Sequence, residues 1–145
     1  MARREIRSEI IAEHDEMRKL LDQVEALATR SELASEEDSG LGAQLRECGL
    51  ALYDRFGAHL DHEQSLLEPV FEGRGGQGER MARRLATEHH EQRELLRFLL
   101  KRLASQPPTT LIAHELRHFA KFLRFEMRQE EERLLTPEAL GEGGI

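Results

Sequence analysis

The sequence has few of the features that mark secreted, disulfide-linked or membrane proteins. Cys48 is the only cysteine among 145 residues, so an intrachain disulfide is excluded. No apolar run approaches the roughly 20 residues that a membrane-spanning helix needs. The first ten residues, MARREIRSEI, lack the apolar core of a secretory signal. We therefore expect a protein of the reducing cytoplasm that has no membrane partner.

Concentrated positive charge is also lacking. The formal net charge is -7, and acidic residues are interleaved with the arginines along the chain. Binding to nucleic-acid phosphates needs a concentrated basic surface, so we expect no nucleic-acid partner. The length suits one ordinary domain with a single core.

Strand-like alternation is absent, and helical spacing of apolar residues takes its place. Turn-forming residues concentrate at 35–42, 73–78 and 105–110. We predict helices over residues 4–31, 41–71, 78–104 and 109–135, to within about two to four residues. Pro107 and Pro108 stop the third helix, Thr109 or Thr110 could cap the fourth, and Pro137 with GEGG ends the ordered chain. The short connections favour an all-α, antiparallel up-down-up-down four-helix bundle over residues 1–137, with a flexible tail at 138–145.

Two stretches of the chain are near copies of each other. EHHEQRELL (88–96) matches EHDEMRKLL (13–21) at six of nine positions, including the histidine in second place. In both segments this histidine, His89 or His14, falls on the apolar stripe of its helix. The repeat therefore predicts two inward-facing histidines on different helices.

The second and fourth helices interrupt their apolar stripes with pairs of ionisable residues one turn apart. These pairs are His59 with Glu63 and Glu126 with Glu130. At a rise of about 1.5 Å per residue, the interruptions of all four helices fall at one height in the bundle. Uncompensated burial of such a group would be costly. Because helical bundles build di-metal carboxylate sites in this way, we predict a buried metal site. The remaining histidines fall off the stripes and are expected at the surface, with His90 left as an alternative to His89: His62, His90, His114 and His118.

The donor types indicate which metal would bind. Imidazole and carboxylate together suit iron or manganese, whereas structural zinc favours thiolate and calcium avoids nitrogen. Two ions fit better than one, because six protein groups with two bridging carboxylates supply about eight or nine donor atoms. A bridging oxo or hydroxo group would leave a pair of six-coordinate irons with about one open position. We expect a non-heme di-iron centre, with manganese as an alternative, and small oxidants as its ligands.

The segments AEHDEMRKLL, HLDHEQSLLEP, TEHHEQRELL and EMRQEEERLLTP together resemble the hemerythrin-like, or HHE cation-binding, family over about residues 9–137. The resemblance implies an antiparallel four-helix bundle around a non-heme di-iron centre. It also implies metal ligands at His14, His59, Glu63 and His89. The second histidine that oxygen-carrying members have on the third helix falls at Arg93, so it is missing.

The fourth helix departs further from the family pattern. Glu126 stands where the family usually has histidine, and the matching acid is Glu130 or Glu131. Alignment with the second helix through His59 selects Glu130, which the helical stripe also favours. Alignment of LLEP with LLTP selects Glu131 and implies one extra residue, such as a π-bulge. We rank Glu130 first.

Replacing imidazole by carboxylate should stabilise ferric iron and lower the reduction potential, so reversible oxygen carriage is disfavoured. We expect a di-iron protein that reacts with or senses oxygen, peroxide or nitric oxide, or that responds to iron. One alternative is a ferritin-like iron oxidase, which needs paired Glu-x-x-His motifs; the only such spacing, Glu115 to His118, lies off the stripe. A second alternative is a metal-free helical bundle that acts as an interaction module through its acidic surface.

Overall fold

The computed structural model describes residues 2–33, 39–105, 110–133, 135–136 and 140. These residues form four α-helices and no strand: α1 Arg3–Leu33, α2 Ser39–Glu72, α3 Gly75–Ser105 and α4 Thr110–Arg133. Helix α2 packs against α1 and α3, and α4 packs mainly against α1, with a smaller contact with α3. The predicted all-α four-helix bundle is confirmed.

The helix bounds differ most from the prediction at the start of α3, which begins at Gly75 instead of residue 78. Gly75 has φ 64°, in the left-handed region that glycine adopts without strain. A Cβ at Gly78 would lie 1.7 Å from the carbonyl oxygen of Phe71. These glycines therefore allow a tight turn between α2 and α3, where we expected a longer loop. The helix caps predicted at Thr109 and Thr110 depend on side chains that lie outside the described part of the chain.

The buried interior consists of two apolar clusters. The larger cluster includes Met17, Leu60, Leu96 and Met127. The smaller cluster lies at the opposite end of the bundle and includes Ile10, Leu67, Leu85 and Leu135. Each helix passes from one cluster to the other through a short polar interval. The hydrophobic effect buries the apolar residues on both sides of each polar interval. This burial determines the height of the interval along the bundle. The polar side chains therefore form a layer between two apolar regions.

Both chain ends of the described structure lie near the smaller cluster. Ile6 and Leu140 are buried in it, and the Leu140 N–H donates to the carbonyl of Thr136. Leu140 is the single described residue of the tail predicted at 138–145, and Pro137 lies outside the described residues. None of the described helices has the length and hydropathy needed to cross a membrane.

Candidate metal centre

Four side chains from three helices meet in the polar layer. They are His14 of α1, His59 and Glu63 of α2, and Glu130 of α4, and one ligand atom from each lies within 4.8 Å of the others. His59 Nε2 is 2.8 Å from Glu63 Oε2, and His14 Nε2 is 3.0 Å from Glu130 Oε1. The described residues thus contain a histidine and glutamate group whose geometry could hold a metal ion.

His89 of α3 lies on the opposite side of the same two carboxylates. Its Nε2 is 3.8 Å from Glu63 Oε1 and 3.8 Å from Glu130 Oε2. His14 and His59 instead approach Glu63 Oε2, and His14 approaches Glu130 Oε1. Each carboxylate therefore presents one oxygen to His14 and the other to His89. This arrangement is suited to carboxylates that bridge two ions.

Burial and charge together determine how protons are distributed in this group. Burial alone would lower the pKa of His14, but hydrogen bonds and charge from Glu130 and Glu63 raise it to about 10. Burial would raise the pKa of Glu63, but its close contacts with Glu130, His14 and His59 lower it. Burial and the charge of Glu63 raise the pKa of Glu130. Without a cation, a proton on His14 offsets part of the negative charge of the two glutamates.

The buried polar atoms provide a test of whether a cation fits this group. Glu63 is 0% exposed, yet neither of its oxygens has a hydrogen-bond partner of good geometry among the described residues. Burying such a carboxylate costs several kcal/mol unless a cation or hydrogen-bond donor compensates it. Imidazole nitrogen and carboxylate oxygen are donors that iron and manganese accept. The residues present therefore fit a divalent or trivalent cation of this type.

The imidazole of His14 is held by a carboxylate on its outer side. His14 Nδ1 is 2.6 Å from Glu131 Oε2, and Arg18 Nη2 donates to both oxygens of Glu131 at 2.9 Å. Because an ionised carboxylate only accepts, Nδ1 donates to Glu131, and Nε2 is the nitrogen that would face a bound cation once its proton has left. A carboxylate behind a histidine is the usual support for metal-binding imidazole.

His59 is supported in the same way, by Glu13 of α1. His59 Nδ1 is 2.8 Å from Glu13 Oε1, and His62 Nδ1 contacts the other oxygen of Glu13. Burial would lower the pKa of His59, but the close contact with Glu63 and the charge of that carboxylate raise it overall. Glu13 was missed in the sequence because it lies beside the apolar stripe of α1. No pattern within α1 indicates that it reaches the second helix.

His89 lacks such support. It is buried, but its Nδ1 has no hydrogen-bond partner among the described residues. Arg93, at the position of the missing family histidine, donates from Nη2 to the carbonyl of Gly57 at 2.8 Å and pairs with Asp61. The Arg93 side chain therefore lies against the surface of α2 and provides no metal-binding donor beside His89.

Glu126 lies outside the group of four. It lines a pocket of about 360 Å³ between α3 and α4, together with Glu88, Gln92 and Glu130. Burial and the charge of Glu88 raise the pKa of Glu126. The pocket extends from the protein surface to Glu130, so Glu126 stands beside the group and its role as a ligand stays a prediction.

The two alignments of the fourth helix, which selected Glu130 or Glu131, correspond to two different contacts. Glu130 faces Nε2 of His14, and Glu131 contacts Nδ1 of the same ring. Helix α4 is regular over its whole length, without the π-bulge that the second alignment required. The histidines predicted at the surface lie outside the buried set: His62, His90, His114 and His118.

Comparison with known proteins agrees with this geometry. Residues 5–137 match the family described as Hemerythrin HHE cation binding domain, which covers most of the chain. No curated protein and no solved structure matches the chain significantly. The family match includes all four helices and every residue of the polar layer. The chain therefore belongs to the hemerythrin HHE cation-binding domain family.

Proposed function

We propose that this protein binds two iron ions, one on each side of Glu63 and Glu130, and uses them to react with or sense a small oxidant. The observation that supports this most directly is the placement of the carboxylate oxygens: one oxygen of each group faces His14 and the other faces His89. Carboxylates that bridge two ions from the interior of a helical bundle are the common construction of di-iron sites.

The first position would be held by His14, His59, Glu63 and Glu130. The second would be held by His89 with the remaining oxygens of the two glutamates, and Glu126 is a candidate for a further donor. Bound iron would supply electron transfer to a small oxidant. Binding of iron would also displace the proton that the raised pKa keeps on His14, so metal uptake should release protons.

The surrounding residues would control what reaches the metal. Glu131 and Glu13 orient two of the imidazoles, and the apolar clusters above and below exclude water. The pocket between α3 and α4 provides a route to Glu130 on the side of the second position. Its volume of about 360 Å³ admits oxygen, peroxide or nitric oxide. The second position is therefore where we expect the oxidant to bind.

The donor set argues against reversible oxygen carriage. Arg93 stands where oxygen-carrying members of the family have their second histidine on the third helix, and carboxylates stand at the family positions on α4. Anionic oxygen donors favour ferric iron and lower the reduction potential. A protein of this type should be oxidised by oxygen and should not release it unchanged.

The ferritin-like alternative loses support from the positions of Glu115 and His118. Glu115 pairs with Arg102, and both Glu115 and His118 line a groove among apolar residues at another level of the bundle. They add no carboxylate or imidazole to the polar layer. The metal-free alternative predicts that purified protein holds no iron.

Purified protein, loaded anaerobically with ferrous iron, provides the test. We expect ferrous ions to bind with release of protons, and exposure to oxygen, peroxide or nitric oxide to produce new visible absorption. The reaction with each oxidant would be followed by stopped-flow absorption, and iron would be quantified by elemental analysis. Protein that binds no iron would contradict the proposal. Protein that binds iron but gives no spectral change with any of the three oxidants would contradict the proposed reaction.

A further inference from the structure

One buried polar side chain has no place in the proposed metal centre. Five polar side chains are buried among the described residues: His14, His59, Glu63, His89 and Gln92. Gln92 is 7% exposed, and its side-chain amide makes no hydrogen bond with a described residue. An amide has two N–H donors and one oxygen acceptor, so burying it without partners costs free energy. This position therefore calls for a partner that the described residues do not supply.

Gln92 borders the pocket between α3 and α4 that extends to Glu130. Residues three apart lie on the same side of a helix, so His89 and Gln92 project from one side of α3. Glu130, one of the two carboxylates proposed to bridge the ions, lines the same pocket. A molecule that enters this pocket on its way to the second metal position therefore meets the Gln92 amide.

The pocket is rich in hydrogen-bond acceptors. Three carboxylate side chains line it: Glu88, Glu126 and Glu130. Arg84 and Arg133 also line it, but both are exposed, and Arg84 pairs with Glu88 at 3.2 Å. The carboxylates disfavour an anionic ligand, and their oxygens only accept hydrogen bonds. The lining therefore favours a neutral molecule that can donate hydrogen bonds.

We propose that Gln92 binds hydrogen peroxide in this pocket and that peroxide is the oxidant of the centre, an inference that rests on the proposed function. Of the three oxidants, only hydrogen peroxide has O–H groups, which can donate to Gln92 Oε1 and to a carboxylate of the pocket. Its oxygens can accept from Gln92 Nε2. Oxygen and nitric oxide have no hydrogen to donate. A site that binds the O–H group of its ligand discriminates against molecules that lack it.

The role of Gln92 in the reaction is to hold the peroxide beside the second metal position. Hydrogen peroxide takes one electron from each of two ferrous ions and two protons from solvent. Its O–O bond breaks, and the products are two ferric ions and two water molecules. Gln92 gains and loses neither a proton nor an electron in this step. It is therefore a binding residue that determines specificity.

Replacement of Gln92 by methionine tests this specificity, because methionine has a similar length and lacks the amide. In reduced, iron-loaded Gln92→Met, the rate constant with hydrogen peroxide should fall about tenfold, and those with oxygen and nitric oxide should change by less than about twofold. Gln44→Met on α2 is the control, since Gln44 is exposed, and it should leave all three rate constants unchanged. Stopped-flow absorption measures the rates. Elemental analysis should find the same iron content in both variants as in wild type.

Zinc-loaded wild type separates binding from reaction, because zinc has no redox chemistry and does not consume peroxide. The side-chain N–H signals of Gln92 are identified in ¹⁵N NMR spectra by their loss in Gln92→Met. We expect these signals to shift when hydrogen peroxide is added, and the signals of Gln44 to stay in place. This measurement uses the wild-type side chain and so does not depend on the folding of a variant.

The outcomes distinguish this inference from the proposed function. Wild type that takes up no iron, or that reacts with none of the three oxidants, would contradict the proposed function and this inference with it. Wild type that binds iron and reacts, but whose peroxide rate is unchanged in Gln92→Met and whose Gln92 signals do not shift, would overturn only the role of Gln92 and leave water as the partner of its amide. Equal loss of all three rates in Gln92→Met would overturn the selectivity for peroxide.

Discussion

The two copies of the sequence repeat have different surroundings in the folded protein. His14 Nδ1 is 2.6 Å from Glu131, whereas His89 Nδ1 has no partner among the described residues. His14 Nε2 approaches Glu130 to 3.0 Å, and His89 Nε2 approaches it only to 3.8 Å. The supporting carboxylate of His14 comes from α4, outside the repeat. Two similar nine-residue segments therefore provide one histidine that a carboxylate supports and one that lacks such support.

This difference has a consequence for the proposed di-iron centre. The side with His14 and His59 has four convergent donors and two supporting carboxylates. The side with His89 has fewer donors and adjoins the pocket between α3 and α4. We expect tight binding at the first position and an exchangeable ligand at the second.

The largest effect is expected from Glu63, which both sides share. Glu63→Ala should abolish binding of both ions, because it removes the oxygens that face His14 and His89. Glu63→Gln keeps the shape and should weaken binding by more than about tenfold. Iron titration by isothermal calorimetry measures both. Glu68→Ala, an exposed position on the same helix, is the control. Loss of only one ion in Glu63→Ala would contradict a shared carboxylate.

Next in size is the contrast between the two histidines of the repeat. His14→Ala should weaken the tighter of two binding events, and His89→Ala should remove the weaker one while leaving the tighter event nearly unchanged. The same calorimetric titration separates the two events. His90→Ala is the control, since His90 is exposed. Equal loss in His89→Ala and His90→Ala would show that His89 is not the inward residue in the binding state.

A smaller effect is expected from the supporting carboxylate of His14. Glu131→Gln keeps a hydrogen-bond acceptor but removes the charge, so iron affinity at the first position should fall about 10- to 100-fold. Glu132→Gln is the matched control because Glu132 is exposed. The measurement is competition with a chelator of known affinity. If Glu131→Gln matched Glu132→Gln, the contact with His14 would have no role in binding.

Much of this arrangement could be predicted from local pattern. The apolar stripes locate the four helices and place His14, His59, Glu63, His89 and Glu130 in the interior, because helical periodicity determines which side chains face the core. The common level of these residues follows from the rise per residue. The family resemblance added the expected ligand types, and the family match agrees with it.

Contacts between helices could not be predicted in the same way. Glu13 reaches His59 across the α1–α2 contact, and Glu131 reaches His14 across the α1–α4 contact. Such contacts depend on the rotation of each helix and on side-chain rotamers, which a single sequence does not determine. The same limit applies to Glu126, which lies on the α4 stripe in the sequence but lines the neighbouring pocket in the structure.

The smallest effect is expected at Glu126. Glu126→His should retain the di-iron centre and raise its reduction potential, because a neutral donor replaces an anionic one and ferrous iron becomes less disfavoured. Glu126→Ala should weaken the second ion alone. Redox titration, with iron quantified in both variants, measures these changes. Potential and stoichiometry identical to wild type would exclude Glu126 as a ligand and leave α4 contributing through Glu130.

The iron content of wild type and His59→Ala tests the central claim most directly. His59 Nε2 lies 2.8 Å from Glu63, and His59 makes no contact with the pocket between α3 and α4. We expect about two irons per chain in wild type, as in di-iron bundles, and a strong reduction in folded His59→Ala. Elemental analysis of protein purified without chelator, with circular dichroism of both proteins, gives the answer. Iron content unchanged by His59→Ala would contradict the proposed centre.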